Sequence, residues 1–325
     1  MQSLRGGSTN VIRRFLDPDQ YQSAIRGGDS LYSVLGRGTF RAELITIEVG
    51  RLTLQRGRED LPRLAASGMP SERVGILGWF GDDQLPVVRG VQMHQGRFLC
   101  LGPGMQSHHR TFGVNDFVSL ILDAGDLTRA AIDTTGRELT VTAGTVVRPP
   151  DDLSTWLMSV IDAATRAVRT TPGIFASPLA TDALEQALLE PMIMCLMHGD
   201  ERTETIPRRR RVDIAKKFEA AVEASVASPL LMPDLCRIIG VPQRTLRSVC
   251  EEQLSLSPHK FLALRRLHMT REMLLRSDHR SVTVTQIATS YGFWELGRFA
   301  VIYRSLFGES PSATLRRLPD ASPSG

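Results

Sequence analysis

The chain has 325 residues, of which 42% are hydrophobic and 23% charged, and a net charge of +4. That length predicts about two domains, and that balance excludes a mainly disordered or fibrous chain. No apolar run approaches the roughly 20 residues needed to cross a bilayer, and four scattered cysteines without a CxxC pair support neither a disulfide framework nor a cysteine zinc site.

The opening MQSLRGGSTNVIRR lacks the apolar core of a signal peptide, so a soluble cytoplasmic protein with no membrane partner is expected. Strands come first. Residues 40–56, FRAELITIEVGRLTLQR, hold two apolar-rich runs broken at Gly50. Further strands are predicted at Val74–Phe80, Val87–Met93, Arg97–Leu101, Phe117–Leu122 and Leu139–Thr142, separated by turn residues such as Gly81-Asp82-Asp83 and Gly102-Pro103-Gly104. That spacing predicts a small barrel or sandwich, able to hold one small ligand in its mouth or lumen. Trp79, Phe80, Phe98 and Phe112 either line such a pocket or fill the core.

After Pro149-Pro150 the period changes. Asp151 or Asp152 would cap a helix to about Arg169, with Leu153, Trp156, Leu157, Val160, Ile161 and Ala164 on one stripe. A second helix spans Pro178–Leu196, with Leu184, Leu188 and Met192 sharing a face, and Pro191 is expected to kink or split it. The pair packs either on the barrel or against a second subunit. Asp200–Pro207, DERTETIP, is polar and aperiodic and reads as the interdomain linker, drawn over residues 201–211 to include Arg208–Arg211. That arginine run either meets DNA phosphates or forms a solvated edge. A helix over Val212–Val226 follows.

Charge is uneven along the chain. Pro207–Leu318 carries 19 Lys/Arg against 10 Asp/Glu, a net of +9, whereas the remainder carries 20 against 25, a net of −5. A basic C-terminal third beside a mildly acidic body points to a polyanionic partner or to a solvated basic surface. Sixteen of the 19 cations are arginine, which suits phosphate.

The basic third contains a degenerate repeat. Leu235-Cys236-Arg237-Ile238-Ile239-Gly240-Val241 matches Ile287-Ala288-Thr289-Ser290-Tyr291-Gly292-Phe293 at an offset of 52 residues. Leu246, Cys250 and Ser257-Pro258 match Phe299, Tyr303 and Ser310-Pro311 at an offset of 53. The repeated unit reads as helix–turn–helix. A small residue lets two helices approach, a glycine takes the positive φ of a helix C-cap, and the next apolar residue sinks under the turn. The second helix then projects polar residues outward, in the manner of a helix that enters the DNA major groove. Between the units, Pro258–Arg276 predicts a long helix that fixes their spacing near one DNA repeat, roughly 34 Å.

On these residues, Val212–Leu318 resembles the DNA-binding domain of the AraC/XylS family of transcription regulators. IATSYGFWELGRFAVIYRSLFGESPSATLR, the second unit, fits that family's signature along its whole length. By strand pattern and domain order, the N-terminal part is similar to the family's cupin-like effector and dimerisation domains. The resemblance implies an α+β protein. A cupin-like β-barrel with flanking helices would occupy residues 1–200, an all-α domain with two helix-turn-helix units residues 212–318, and a disordered tail residues 319–325.

It also implies DNA contacts. In the first unit they fall on Gln243, Arg244, Thr245, Arg247 and Ser248. Arginine reads guanine bidentately or binds phosphate, and Gln243 suits adenine. In the second unit they fall on Trp294, Glu295, Gly297, Arg298 and Arg304. Glu295 either accepts from cytosine N4 or caps its helix, and Trp294 packs on the DNA backbone or on the turn. The chain departs from the family pattern at Ser248, where arginine is common, at Cys250, where an aromatic is common, and at Val301, where a basic residue is common.

No enzyme is expected. GxSxG, Walker and HExxH motifs do not occur. His108 and His109 are adjacent, so they would face opposite sides of a strand, and His94 stands apart. No metal site, cofactor or catalytic residue is therefore assigned. The expected protein is a sequence-specific regulator on double-stranded DNA, an activator working with RNA polymerase, dimeric, and controlled by a small-molecule effector. An effector-independent dimeric regulator and a cupin enzyme fused to a DNA-binding domain are the alternatives.

Overall fold

The alternating and apolar runs of the N-terminal half form strands, and the runs with a helical period form helices. The structure, a computed structural model, describes residues 10–26, 31–36, 38–81, 84–88, 91–171, 173–202, 206–224, 231–254 and 256–317. Two units separate: Met1–Tyr32 with Phe40–Thr205, and Ser33–Thr39 with Ile206–Gly325.

The first unit runs β1 (Val11–Phe15), α1 (Pro18–Ala24), β2 (Leu31–Val34), β3 (Ala42–Val49), β4 (Leu52–Glu59), β5 (Arg63–Gly68), β6 (Arg73–Phe80), β7 (Val87–Val88), β8 (Val91–Gln92), β9 (Phe98–Leu101), β10 (Gln106–Arg110), β11 (Asn115–Asp123), α2 (Ala124–Thr135), β12 (Val146–Arg148), α3 (Asp151–Thr170), α4 (Pro178–His198) and β13 (Asp200–Arg202). Eight strands form one sheet in the order β1-β3-β4-β11-β6-β9-β12-β13, and five form another in the order β2-β5-β10-β7-β8. The expected barrel is therefore not closed. Among the described residues the end strands of neither sheet pair with each other. Closure needs an unbroken ladder around the ring, and β12 and β13, at 3 residues each, offer too few bonds to complete one.

Strand β11 is the hinge of this architecture, pairing β4 on one side and β6 on the other. Val118, Leu120 and Leu122 share a core with Leu157 and Ile161 of α3 and Leu188 and Met192 of α4. Phe117, Ser119 and Ile121 point to the opposite face. Burial on both faces accounts for the near-continuous apolar run. Arg56 of β4 fastens α3 to the sheet. It donates bidentately to Asp116 (2.9 and 3.0 Å), reaches Asp162 of α3 at 2.9 Å, and lies 3.8 Å over the Phe80 ring.

Three expectations need correction here and a fourth is narrowed. Leu139–Thr142 is not a strand: Gly144 N–H bonds to Cys100 O and Thr145 N–H to Thr142 O, so the segment turns and β12 takes the pairing. Trp156 is exposed, lying past the edge of the α3 stripe. Pro150 occupies the N-cap of α3, and Asp151 and Asp152 lie in its first turn, where they complement the helix dipole instead of capping. Of the two expected outcomes at Pro191, helix α4 is not split, because Leu188, Pro191, Met192 and Cys195 are all buried and their packing outweighs one missing N–H bond.

The second unit is helical: α5 (Ile206–Ala224), α6 (Met232–Ile239), α7 (Gln243–Gln253), α8 (Pro258–Arg276), α9 (Val284–Ser290), α10 (Leu296–Phe307) and α11 (Pro311–Arg316). Since Asp200–Arg202 pairs with β12 and α5 starts at Ile206, the arginine run Arg208–Arg211 lies within a helix. The tail expected at residues 319–325 lies outside the described residues.

Candidate nucleic-acid interface

The repeat seen in the sequence is a repeat of hydrogen bonds. Gly240, at φ +75°, ends α6, and Val241 N–H reaches Cys236 O at 3.1 Å. Gly292, at φ +81°, ends α9, and Phe293 N–H reaches Ala288 O at 2.9 Å. Both bonds span five residues, the mark of a glycine-terminated helix end whose orphan carbonyls are satisfied. The following helices, α8 and α11, begin alike. Ser257 accepts from Lys260 N–H at 3.4 Å and Ser310 accepts from Ala313 N–H at 3.1 Å, each followed by proline in the first turn.

In α7, Leu246, Val249 and Cys250 are buried, which turns Gln243, Arg244, Arg247 and Ser248 outward; Thr245 is half-buried. Among the described residues Arg244 has no partner. Arg247 pairs with Glu251 one turn on, at 2.9 Å. Ser248 is engaged from α5: Arg211 donates to its Oγ at 2.7 Å and pairs with Glu252 at 2.6 Å. Sequence reasoning singled out the arginine run but missed this contact. The missing signal was the helical phase of α5, which turns one arginine of the run toward α7.

In α10, Phe299 and Tyr303 are buried, so Trp294, Glu295, Gly297, Arg298 and Arg304 are exposed. Glu295 stands at the N-cap but makes no capping bond; it lies 3.8 Å from Arg298, and the capping alternative is thereby removed. Trp294 is 78% exposed and Val301 70%. Val301 shares one face of α10 with Gly297 and Arg298, four and three residues before it, while Trp294 lies just before the N-cap of that helix. Cys250 is inert packing, its thiol pushed well up by burial and then by the charges of Glu219 and Glu251.

Among the described residues, no group of three or more His, Cys, Asp and Glu side chains is placed to hold a metal ion, and no helix is long and apolar enough to cross a membrane. His108 and His109 of β10 are both buried.

The model of a family described as a helix-turn-helix domain matches residues 235–317. The chain is 28% identical over 164 residues to a probable thc operon regulatory protein of Rhodococcus erythropolis, covering 50% of this chain and 49% of that protein. It is 33% identical over 96 residues to XylDLEGF operon transcriptional activator 3 of Pseudomonas putida, covering 30% of this chain and 29% of that protein. These matches span half or less of the curated relatives' length. The crystal structure of the AraC-like transcriptional activator CuxR aligns over 86% of this chain and 99% of its own, with 11% identity and a TM-score of 0.43. The two glycine-ended turns, the paired Ser-Pro helix starts and the match to the helix-turn-helix domain fall on the same residues, and over them the chain is similar to transcriptional regulators.

Proposed function

We propose that the chain is a sequence-specific transcription regulator of double-stranded DNA, an activator acting with RNA polymerase in the cytoplasm. The observation that carries this reading is the pair of outward faces on α7 and α10, displayed by two turns of one design. Gln243, Arg244, Thr245, Arg247 and Ser248 form the first contact set, and Trp294, Glu295, Gly297, Arg298 and Arg304 the second. Arg244 and Arg247 lie three apart on one face, where guanidinium groups can meet guanine edges. Residues 212–318 are assigned to DNA binding, residues 1–200 to effector sensing and dimerisation, and residues 201–211 to the connection. Regulation by an effector requires only that a ligand favour one arrangement of the protein over another, and no catalysis.

The test is binding to promoter DNA recovered from genomic occupancy, against scrambled competitor. Arg244→Ala and Arg247→Ala each weaken specific binding by about 1–3 kcal/mol and leave random DNA nearly unaffected. No preference for any native promoter over the scrambled competitor would overturn the reading.

A further inference from the structure

The inter-sheet face of the first unit contains polar groups that the fold does not satisfy. Arg63 Nη1, Trp79 Nε1, His109 Nδ1 and Ser119 Oγ are all buried without a hydrogen-bond partner, in side chains no more than 5% exposed. Buried polar atoms are nearly always bonded, since each orphan forfeits its hydration. Here the four line the same cavity.

The topology explains why they meet. Phe117 and Ser119 alternate along β11, opposite Trp79 and Leu77 of β6, so all four share one face of the large sheet. His109 comes from β10 of the second sheet, opposite Ala65 of β5. Arg63 opens β5. Its Nε donates to Glu59, whose carboxylate also accepts from Tyr32 and from Asn115 at 2.7 Å. Glu59 therefore fixes the guanidinium, and Arg63 stacks 5.3 Å from Tyr32 and 5.8 Å from Phe117. Nη1 is left pointing at nothing the protein supplies.

The chemistry of the cavity lining is specific. Arginine and indole N–H groups only donate, a serine hydroxyl can donate, and a neutral imidazole can present an N–H. His109 is held neutral by burial, then by the charges of Arg63 and His108. The matching group is rich in acceptors and has no need to donate. The lining carries two arginines, Arg63 and Arg26, and no carboxylate; Arg26 also pairs with Glu48 at 3.0 Å. The remaining wall is apolar, including Met69, Leu77, Leu101 and Ile121. The space open to water centres is about 40 Å³, enough for roughly three waters.

We infer that this cavity binds a small aliphatic carboxylate, its oxygens received by Arg63, Trp79, Ser119 and His109 and its short carbon tail lying on the apolar wall. The site stands on its own geometry; that its ligand is the regulatory effector rests on the function proposed above.

The full-length chain is titrated with acetate, propionate, butyrate and valerate and with the matching primary amides, by calorimetry and by thermal unfolding. At least one acid raises the melting temperature in proportion to its concentration, and its amide binds at least tenfold more weakly. Ser119→Ala removes only an unpartnered atom, so it melts like the parent without ligand and binds the acid threefold to tenfold more weakly. Trp79→Phe also removes buried ring atoms and lowers the melting temperature, and it too binds the acid threefold to tenfold more weakly under conditions where it is folded. If no acid binds, if amides bind as well as acids, or if both variants bind normally, the inference is overturned. The two readings fail separately. Acid binding with no promoter preference keeps the site and sinks the regulator, and promoter preference with no acid binding does the reverse.

Discussion

The two helix-turn-helix units share a backbone frame and differ in what fills it and what faces outward. In the first, Leu246 and Cys250 occupy the two anchor positions of α7, and α5 contributes Phe218, which stacks on Phe261 at 5.3 Å. In the second, the same anchors are Phe299 and Tyr303, and an aromatic chain runs Phe293–Phe299–Tyr303–Phe307 with centroid spacings of 4.8, 5.5 and 4.6 Å. Tyr303 closes that chain by donating to Thr314 of α11 at 2.9 Å. The outer faces reverse the pattern. That of α7 bears Arg244 and Arg247 among polar neighbours, whereas α10 exposes Val301 between Arg298 and Arg304, with Trp294 exposed just before its start. A turn geometry fixed by glycine and a Ser-Pro start thus tolerates either core and either face.

The largest effect should come from emptying the aromatic anchor. Phe299→Ala removes a ring at the middle of the chain and should destabilise the domain by about 3–5 kcal/mol. Leu246→Ala, at the equivalent place, should cost about 2–5 kcal/mol. Denaturant titration of both variants measures the difference. A smaller loss at Phe299 than at Leu246 would mean that the aromatic chain collapses onto the vacancy.

Acid separates the units next. His268 of α8 lies edge-on to Phe307 at 5.1 Å, with its Nε2 buried and unpartnered. Burial, then the charges of Arg271 and Arg265, pushes its pKa down to about 3. The unfolded chain therefore takes up a proton near pH 6.5 that the folded chain refuses. This contribution to stability is complete above pH 6.5 and is lost as pH falls toward 3, by at most about 1.4 kcal/mol per pH unit. Between pH 6.5 and 5, His268→Phe should flatten the pH dependence of unfolding relative to the parent. An unchanged slope would show that His268 is protonated in the fold. His109, on β10 of the N-terminal sheets, is depressed in the same direction and remains in both proteins, so the difference isolates His268.

The turn itself is the third test. Among the described residues, a Cβ on Gly240 would meet nothing within 4 Å, so the cost of Gly240→Ala is conformational. At φ +75° that cost is about 1–2 kcal/mol. A neutral substitution would show that the turn relaxes out of the left-handed region.

What the sequence made legible follows from which physics is local. The glycine turns, the repeated Ser-Pro pairs and the strands over 40–56 and 117–122 were readable because a φ sign, a recurring dipeptide or an apolar period is written in adjacent residues. The first unit's openness was not, since it depends on which distant strands find partners, as β12 does with β13. Strand β5, with two alanines and a glycine among its six residues, carries too weak an apolar period to be seen. Trp79 was a candidate either for pocket or for core. Only the orphaned indole N–H facing the cavity separates those two uses, and pairing across two sheets creates that orphan.

The smallest effect concerns Arg211, and it sharpens the comparison most. Helix α8 precedes the second unit at the same 52-residue offset at which α5 precedes the first, and Arg211 of α5 is laid across the outer face of α7. Arg211 is 31% exposed and its partner Glu252 40%, and pairs that open to solvent contribute about 0.2–1 kcal/mol. Arg211→Ala should therefore lower stability by no more than that. Its charge is already matched by Glu252, whereas Arg244 stands without a partner among the described residues. The dependence of DNA affinity on salt counts the phosphates a protein neutralises. That dependence should be unchanged in Arg211→Ala, which tests whether the α5 arginine braces α7 or reaches the duplex. A fall of about one in the slope of log K against log salt would place Arg211 on a phosphate. The first reader would then draw one of its charges from outside its own two helices.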